Sequence, residues 1–508
     1  MGSVKKEPID LNVMDFRQMF DAEELSVCLN AMYEANIKDD MLALIYEANK
    51  TTIFTVKTPN GLTQPATIVN KVLQGDVLAP LISSNMVDKN IGVPALSTNN
   101  VYLYKNKVVI PPLTMQDDTL GVSLCGFKSR KMNNFLNTRT KIMGLQFGSE
   151  KCEKMHVGKR HVNKNICVDS EVDIWEEKVL QDEQGKHFLI DNHAGKEKMK
   201  NVTLKKYLGQ CIQSDGKNDH NIKDKYDKAV GNVIIIKNSL IERPYGRHSF
   251  KAALLMRQAM LLGGLLTNAE SWNHLTEANI AKLTMPDTML QRSLLSTTGN
   301  PSKVFMCLEL GVIPVKYVII TKRINFLHCI LKENMTSTLR QVYEAMKCDS
   351  RKGDFHHLVT NDLKNLDINM TETEIQNQSK NSWKLFISKK IKEHVFTQLV
   401  KENSKLENTN DIVFTELKLQ DYLKDNRNLS LSKIIFSVRS KTLDIKLWQP
   451  WKYFDNLCVL CEKKSETMEH FMSCNTYENI TPIHSWKTIF KNNPDEQFEI
   501  AENIKKRQ

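Results

Sequence analysis

A chain of 508 residues, 41% hydrophobic and 25% charged, has the composition of a soluble globular protein with several domains, or with one domain and long helical appendages. Its net charge of +11 favours a polyanionic partner. The 11 cysteines are odd in number and irregularly spaced, no apolar leader precedes them, and the longest apolar stretch, residues 252–266, is interrupted by Arg257 and Gln258. The apolar stretch is too short for a membrane span, and a reducing compartment, cytosol or nucleus, is expected.

In chain order, Ile9 to Asp15 alternates apolar and polar residues, the pattern of a half-buried strand. Asp21 to Glu24 opens a helix with Leu25, Cys28, Leu29 and Met32 on one face. Asp39-Asp40 opens a second helix, where negative charge offsets the helix dipole. Thr51 to Lys57 reads as a strand closed by Pro59-Asn60-Gly61, and a helix is expected over 78–88. Val101 to Tyr104 and Val108 to Ile110 read as a hairpin. Asp117-Asp118 then lies between two apolar halves, at a second hairpin tip. A basic helix is expected over 129–143, a strand over 153–157 and, after a polar stretch, another short strand over 206–212.

From about Asn221 the period becomes helical, with Ile222, Tyr226, Ala229, Val230, Val233 and Leu240 on one face. Lys223, Lys225 and Lys228 project from the remainder, as a solvated face or as phosphate contacts. Helices continue over 252–266, 280–295 and 314–331, the last with Pro314 in its first turn. A basic amphipathic helix starts at Trp383. It suits a nucleic acid, a membrane surface, a partner helix or ordinary packing.

Two constellations carry chemistry. Nucleotidyl transfer needs hard carboxylate oxygens gathered around divalent cations. Asp15 ends the first expected strand, and Asp117 and Asp118 lie at the hairpin tip, so strand end and tip in one sheet would gather all three. Cys458-x2-Cys461-x8-His470-x3-Cys474 offers four soft or borderline ligands within a short window, which suits a closed tetrahedral Zn²⁺ site. A looser set, Cys152, His156, His161 and Cys167, reads as ordinary strand and loop residues because its cysteines are not closely paired.

At these residues the sequence resembles a known family, the reverse transcriptases of non-LTR (LINE-like) retrotransposons. Asp15-Phe16-Arg17-Gln18-Met19-Phe20 is similar to motif A, whose Asp binds metal and whose aromatic, here Phe20, excludes a ribose 2′-OH. Leu73-Gln74-Gly75-Asp76 with Pro80 resembles motif B, in which Gln74 and Gly75 would lie against the nucleotide and template. Met115-Gln116-Asp117-Asp118 resembles motif C, with Met-Gln where many relatives have an aromatic and Ala. Gly144-Leu145-Gln146-Phe147 with Lys151-Cys152 resembles motif D, where Lys151 would assist pyrophosphate departure. Tyr207-Leu208-Gly209 resembles the primer grip, and Asn268 to Trp272 and Leu308 to Gly311 resemble words of the family's thumb.

The resemblance implies an α+β fold: a right-hand polymerase palm, an antiparallel sheet with helices, followed by an all-helical thumb and a C-terminal helical region with a small CCHC zinc knuckle. The expected domains are 1–215 (palm), 216–346 (thumb), 347–450 (basic helical linker), 451–480 (knuckle) and 481–508 (tail). It further implies two Mg²⁺ ions on Asp15, Asp117 and Asp118, an RNA template, a DNA primer and dNTP as partners, no membrane, and a nuclear location. The family's basic fingers would precede motif A, so the chain is expected to be an N-terminally truncated copy. Two functions follow: an RNA-directed DNA polymerase, or a catalytically inactive nucleic-acid-binding remnant of a retroelement.

Overall fold

The computed structural model describes residues 9–17, 19–69, 71–72, 77–96, 102–104, 108–124, 127–157, 171–181, 187–241, 250–273, 275–296, 299–424, 429–476, 486–491 and 493–508. The chain divides into two compact units, 1–220 with 334–349, and 221–333 with 350–508. Each mixes its elements differently, and together they make an α+β protein.

The first unit is built on β1 (Ile9–Asp15). Two helices follow, α1 (Leu25–Glu34) and α2 (Asp39–Asn49), the latter opening on Asp39 and Asp40 as expected. Further on come α3 (Ala79–Val87), β2 (Leu113–Met115), β3 (Asp118–Leu124), α4 (Phe127–Ile142), β4 (Glu153–Val157) and β5 (Lys200–Asn201). The sheet order is β5-β4-β1-β3-β2, antiparallel except for the β4–β5 pair. β1 therefore lies at its centre.

Alternation along a strand sends successive side chains to opposite faces. Ile9, Leu11 and Val13 of β1 pack with Leu120, Val122, Met155, Val157 and Tyr207 on one face. Met14 joins Phe16, Leu25, Met86, Met132 and Leu136 in a second core. Gly121 lets α4 approach closely, since a Cβ there would meet Leu136 at 3.4 Å and Met132 at 3.5 Å.

The expectation of a half-buried β1 is corrected here, because both faces are covered and Asp10 and Asn12 are 0% exposed. The Asp10 carboxylate and the Asn12 amide nitrogen have protein partners in place of water. Lys154 Nζ lies 2.8 Å and His156 Nδ1 2.5 Å from the Asp10 carboxylate, and the Asn12 amide donates to Ser129 Oγ at 3.2 Å. Alternation with buried polar residues looks the same in sequence as alternation with solvated ones.

Two more strand expectations are revised. Residues 206–212 are not one strand but a hairpin, β6 (Leu204–Tyr207) and β7 (Gln210–Gln213), which turns at Leu208 (φ 45) and Gly209 (φ 74). The polar stretch before it holds a long antiparallel hairpin of Glu171–Gln181 with His187–Lys198. The expected strand over 51–57 is split, Thr51–Phe54 pairing with Ala66–Val69 and Lys57–Thr58 with Gly61–Leu62. His161, Cys167, Gln74 and Gly75 lie outside the described residues.

The second unit is helical. Its main elements are α5 (Asp219–Ile236), α6 (Glu277–Leu295), α7 (Lys303–Leu310), α8 (Val315–Lys332), α9 (Lys380–Asn403), α10 (Leu429–Arg439), α11 (Met468–Ser473) and α12 (Pro494–Arg507). Pro314 is the N-cap of α8, one residue before its first turn. Lys225 does not project from α5 as expected but is 7% exposed. Lys223 is exposed, and Lys228 is exposed and pairs with Asp224 at 2.8 Å. Among the described residues no single helix is long and apolar enough to cross a membrane.

Buried ion pairs tie these helices together. Arg257 forks onto Asp287 with bonds of 2.6 and 2.8 Å and donates to the Ile313 carbonyl at 3.0 Å. Glu309, at the end of α7, is 0% exposed and accepts from Arg439 Nε and Tyr422 Oη, both at 2.8 Å. Arg439 also donates to the Ile489 and Phe490 carbonyls. Gly311 ends α7 at φ 64, where a Cβ would fall 2.2 Å from the Lys418 carbonyl carbon.

Glu309→Ala leaves the Arg439 guanidinium buried and unpaired. Such a loss costs about 3–5 kcal/mol, so urea unfolding of the full chain should show a clearly lowered midpoint. A Glu309→Leu, Arg439→Met double substitution should recover part of the loss; an unchanged midpoint for Glu309→Ala would contradict the assignment.

Candidate active site and metal centre

The register of β1 against β3 sets Asp15 directly across from Asp118. Both continue the row formed by Val13 and Leu120, so they share the face opposite α4. Met115 pairs with Asp118, which leaves Gln116-Asp117 as a two-residue loop between β2 and β3. Gln116 takes φ 53 to close it, a left-handed conformation that glycine and asparagine adopt more readily. The hairpin tip expected from sequence is therefore present, with Asp117 in the loop and Asp118 as the first residue of β3.

Backbone bonds fix the end of β1 from both sides. Phe16 N–H donates to the Asp117 carbonyl at 3.1 Å, Gly148 N–H to the Asp15 carbonyl at 2.9 Å, and Arg17 N–H to the Gln146 carbonyl at 2.9 Å. The Phe16 and Phe147 rings stack at 4.8 Å, with planes 13° apart. Residues 146–148 thus brace the strand end, and the 3₁₀ turn Ser149–Lys151 after them delivers Lys151 Nζ to Asp15 Oδ1 at 3.1 Å.

The charges gathered here act on one another. Burial first, then Asp117 and Asp15, push the Asp118 carboxyl above its usual range, while Lys205 and Lys151 pull it back. The bond to Asp15 raises the Lys151 ammonium above the usual lysine range. Burial, then the charge of Asp118, pushes the Tyr207 phenol up to about 12, and its hydroxyl donates to the Leu113 carbonyl at 3.2 Å. Burial likewise pushes the neighbouring Cys152 thiol up to about 12, which leaves it a structural residue rather than a reactive one.

Lys205 is a residue that the sequence reasoning missed. Its ammonium bonds Glu153 at 2.8 Å and reaches the Lys151 carbonyl at 3.5 Å. The signal was present, since Lys205 and Tyr207 are two apart on β6 and share a face. Asp15, Asp117 and Asp118 thus lie near one another, only partly covered, at the end of the β1–β3 pair, whereas the group whose ligand atoms all lie within 4.8 Å of one another among the described residues is that of Cys458, Cys461, His470 and Cys474.

The remaining candidates lie further out in the fold. Phe20 is partly buried and packs against the core of α1 and α3. Leu208 and Gly209 form the β6–β7 turn just after Tyr207.

The second constellation also comes together. One ligand atom from each of Cys458, Cys461, His470 and Cys474 lies within 4.8 Å of all the others. The Cys458 and Cys474 sulfurs are 4.0 Å apart, and Cys461 Sγ lies 3.1 Å from His470 Nε2. Those spacings bracket the edge of about 3.5–3.8 Å expected of a zinc tetrahedron with Zn–S about 2.3 Å.

The local chain explains the convergence. Leu457 pairs with Ser465, and Cys458 N–H donates to the Lys464 carbonyl at 2.8 Å, folding the Cys-x2-Cys segment into a tight loop. Thr467 caps α11 by accepting from the His470 N–H, and Cys474 ends it. The Lys463 backbone N–H leads in pulling the Cys461 thiol down to about 6, toward the thiolate that binds metal, whereas burial pushes Cys458 up. The Cys152 and His156 of the looser set serve elsewhere, Cys152 in the core and His156 on Asp10.

No protein-family model matches the chain. No curated protein matches it either. Among solved structures, the telomerase of Candida tropicalis, in complex with a fragment of telomeric RNA, is similar over 75% of this chain and 49% of that chain, at 11% identity and a TM-score of 0.27. The chain thus spans about half the length of that structure's chain.

Two outcomes follow. The purified chain should carry one zinc per molecule by elemental analysis, and Cys458→Ser should lose it together with part of the melting temperature; a zinc-free chain with an unchanged melt would contradict the site. The second concerns Asp118. Its raised value means that ionised Asp118 opposes folding, an opposition absent at low pH and growing as pH rises through that value. In Mg²⁺-free buffer Asp118→Asn should therefore raise the melting temperature at pH 7, with the gain vanishing toward about pH 4. A lowered melt at pH 7 would contradict the repulsion.

Proposed function

We propose that the chain is the palm, thumb and zinc-knuckle portion of an RNA-directed DNA polymerase of the non-LTR retrotransposon class. The observation that carries this reading is the pairing of Asp15 with Asp118 at the end of β1 and β3, with Asp117 in the adjoining loop and Lys151 on Asp15. Its partners are an RNA template, a DNA primer and dNTP, and its place of work is the nucleus.

In this reading Asp15, Asp117 and Asp118 hold the catalytic cations. Two Mg²⁺ ions bound there would neutralise charge on the attacking 3′ oxygen and on the leaving pyrophosphate. The rigid β1–β3 pairing fixes the carboxylates so that little reorganisation accompanies reaction. Lys151, held beside Asp15, donates a proton to the departing pyrophosphate. Phe20 stands against the ribose 2′ position, and Gln74 and Gly75 line the nucleotide and template. Tyr207, Leu208 and Gly209 grip the primer end, Tyr207 being anchored through Leu113. Cys458, Cys461, His470 and Cys474 form a zinc knuckle that contacts nucleic acid.

A second reading, an inactive nucleic-acid-binding remnant, draws on Lys151 already occupying an Asp15 oxygen at 3.1 Å and on the +11 charge. Primer extension on an RNA template separates the two. The polymerase reading expects dNTP incorporation that Asp117→Asn reduces by more than the roughly 100-fold that loss of an outer-shell metal partner costs, with Lys151→Ala slower by about 10²-fold. Salt-sensitive RNA binding without incorporation would favour the remnant, and incorporation untouched by Asp117→Asn would overturn the metal assignment.

A further inference from the structure

Residues 375–392, which lead into α9 and form its first half, hold five lysines and no acidic residue. The whole chain sets 59 acidic against 70 basic residues, so this stretch departs from the mixed charge of an ordinary solvated face. Lys380, Lys384, Lys389 and Lys392 are exposed, and none has an ion-pair partner among the described residues. Glu393 lies one turn from Lys389 without an ion pair to it. Glu416, on which the Lys392 charge acts, is bonded instead to Lys418 at 2.7 Å.

This charge works against the free helix. Lys380 and Lys384 are four residues apart and Lys389 and Lys392 three, so each pair repels across one turn. Lys380 and Lys384 also lie in the first turns, at the positive end of the helix dipole. What holds α9 in place is its other face. Trp383, Ile387, Ile391, Val395 and Leu399, each four residues from the next, are buried where α9 packs on α7 and α8. The lysines are thus carried outward on a fixed helix, and an anion laid along them would relieve their repulsion.

The burial of that apolar row decides among the partners open to a basic amphipathic helix. A membrane surface or a partner helix needs an exposed apolar face, and Leu385, 72% exposed, is the one exposed large apolar side chain of α9. A single small anion is too short, because the four lysines span about 18 Å of helix. A row of phosphates matches that length. Single strands are held by stacking bases on exposed aromatic rings, whereas Trp383 is buried and Phe386 and Phe396 are half-buried. The backbone of a double helix asks only for cations and polar donors, and exposed Asn381 and Ser388 stand among the lysines as donors. We propose that the outer face of α9 binds the phosphate backbone of a double-stranded nucleic acid, without sequence preference, through Lys380, Lys384, Lys389 and Lys392. This surface belongs to the second unit alone and depends on neither the carboxylates nor the zinc group.

Fluorescence anisotropy of a short labelled DNA duplex tests it, titrated with the zinc-loaded full chain at several NaCl concentrations in Mg²⁺-free buffer. Lys380→Gln, Lys384→Gln, Lys389→Gln and Lys392→Gln together should weaken duplex binding at least about tenfold. They should also flatten the slope of log K against log[salt] by at least about 2, since each lost contact removes about 0.9. The loss should be equal for two unrelated duplex sequences, and the melting curve should not fall, because glutamine keeps helix propensity. A charge-matched control on other exposed lysines, Lys352→Gln, Lys364→Gln, Lys401→Gln and Lys405→Gln together, should leave the slope in place. Should the first fourfold variant not fold, Lys389→Gln with Lys392→Gln should give about half its effect on the slope. No duplex binding by the unaltered chain, a slope unmoved by these substitutions, or an equal loss in the control would overturn the proposal. So would a larger loss on the matching single strand than on the duplex, or tighter binding to phosphatidylserine vesicles than to the duplex. Failure of primer extension leaves this result untouched, and an unmoved slope leaves the polymerase reading untouched.

Discussion

The first unit depends on the antiparallel register of β1 with β3. That register sets Asp15 opposite Asp118 and at the same time sets Val13 opposite Leu120 and Leu11 opposite Val122. A slip of β1 by one residue would turn its apolar row and Asp15 toward α4, away from Leu120 and Asp118. The same packing that forms the core therefore brings like charges together at the end of the β1–β3 pair. Burial first, and then the charges of Asp117 and Asp15, hold the Asp118 carboxyl above its usual range, and Lys205 and Lys151 offset part of that.

The second unit handles charge in the opposite way. Three of its buried carboxylates, Asp287, Asp362 and Glu309, each meet an arginine at 2.5–2.8 Å. These pairs join segments distant in sequence, so they specify which helices meet more than they stabilise the fold. The Cys458–Cys474 group lies in the same unit, on a short loop and a six-residue helix with little core of their own. Segments of that size commonly rely on a bound metal to hold their shape.

Much of the site could be read from local pattern. The apolar halves around Asp117-Asp118 define a hairpin, and the spacing of Cys458, Cys461, His470 and Cys474 defines a ligand set, because both depend on residues close in sequence. What could not be read depends on distant residues. The polar positions of β1 look solvated until Lys154, His156 and Ser129 arrive from elsewhere to meet them. Lys225 looks like a surface lysine until tertiary packing buries it. The turn at Leu208-Gly209 was hidden because Leu208 takes a positive φ that its residue type does not advertise. Glu309 gave no sign that it would meet Tyr422 and Arg439 more than a hundred residues later.

The central claim is that Asp15, Asp117 and Asp118 form one divalent-cation site. Titrating the zinc-loaded full chain with Mn²⁺, and following the free ion by electron paramagnetic resonance, addresses it without requiring turnover. The account predicts saturable Mn²⁺ binding that Mg²⁺ displaces, that Asp15→Asn and Asp118→Asn each abolish, and that Glu309→Gln leaves in place. Mn²⁺ binding that survives both aspartate substitutions, or that is absent from the unaltered chain, would contradict it.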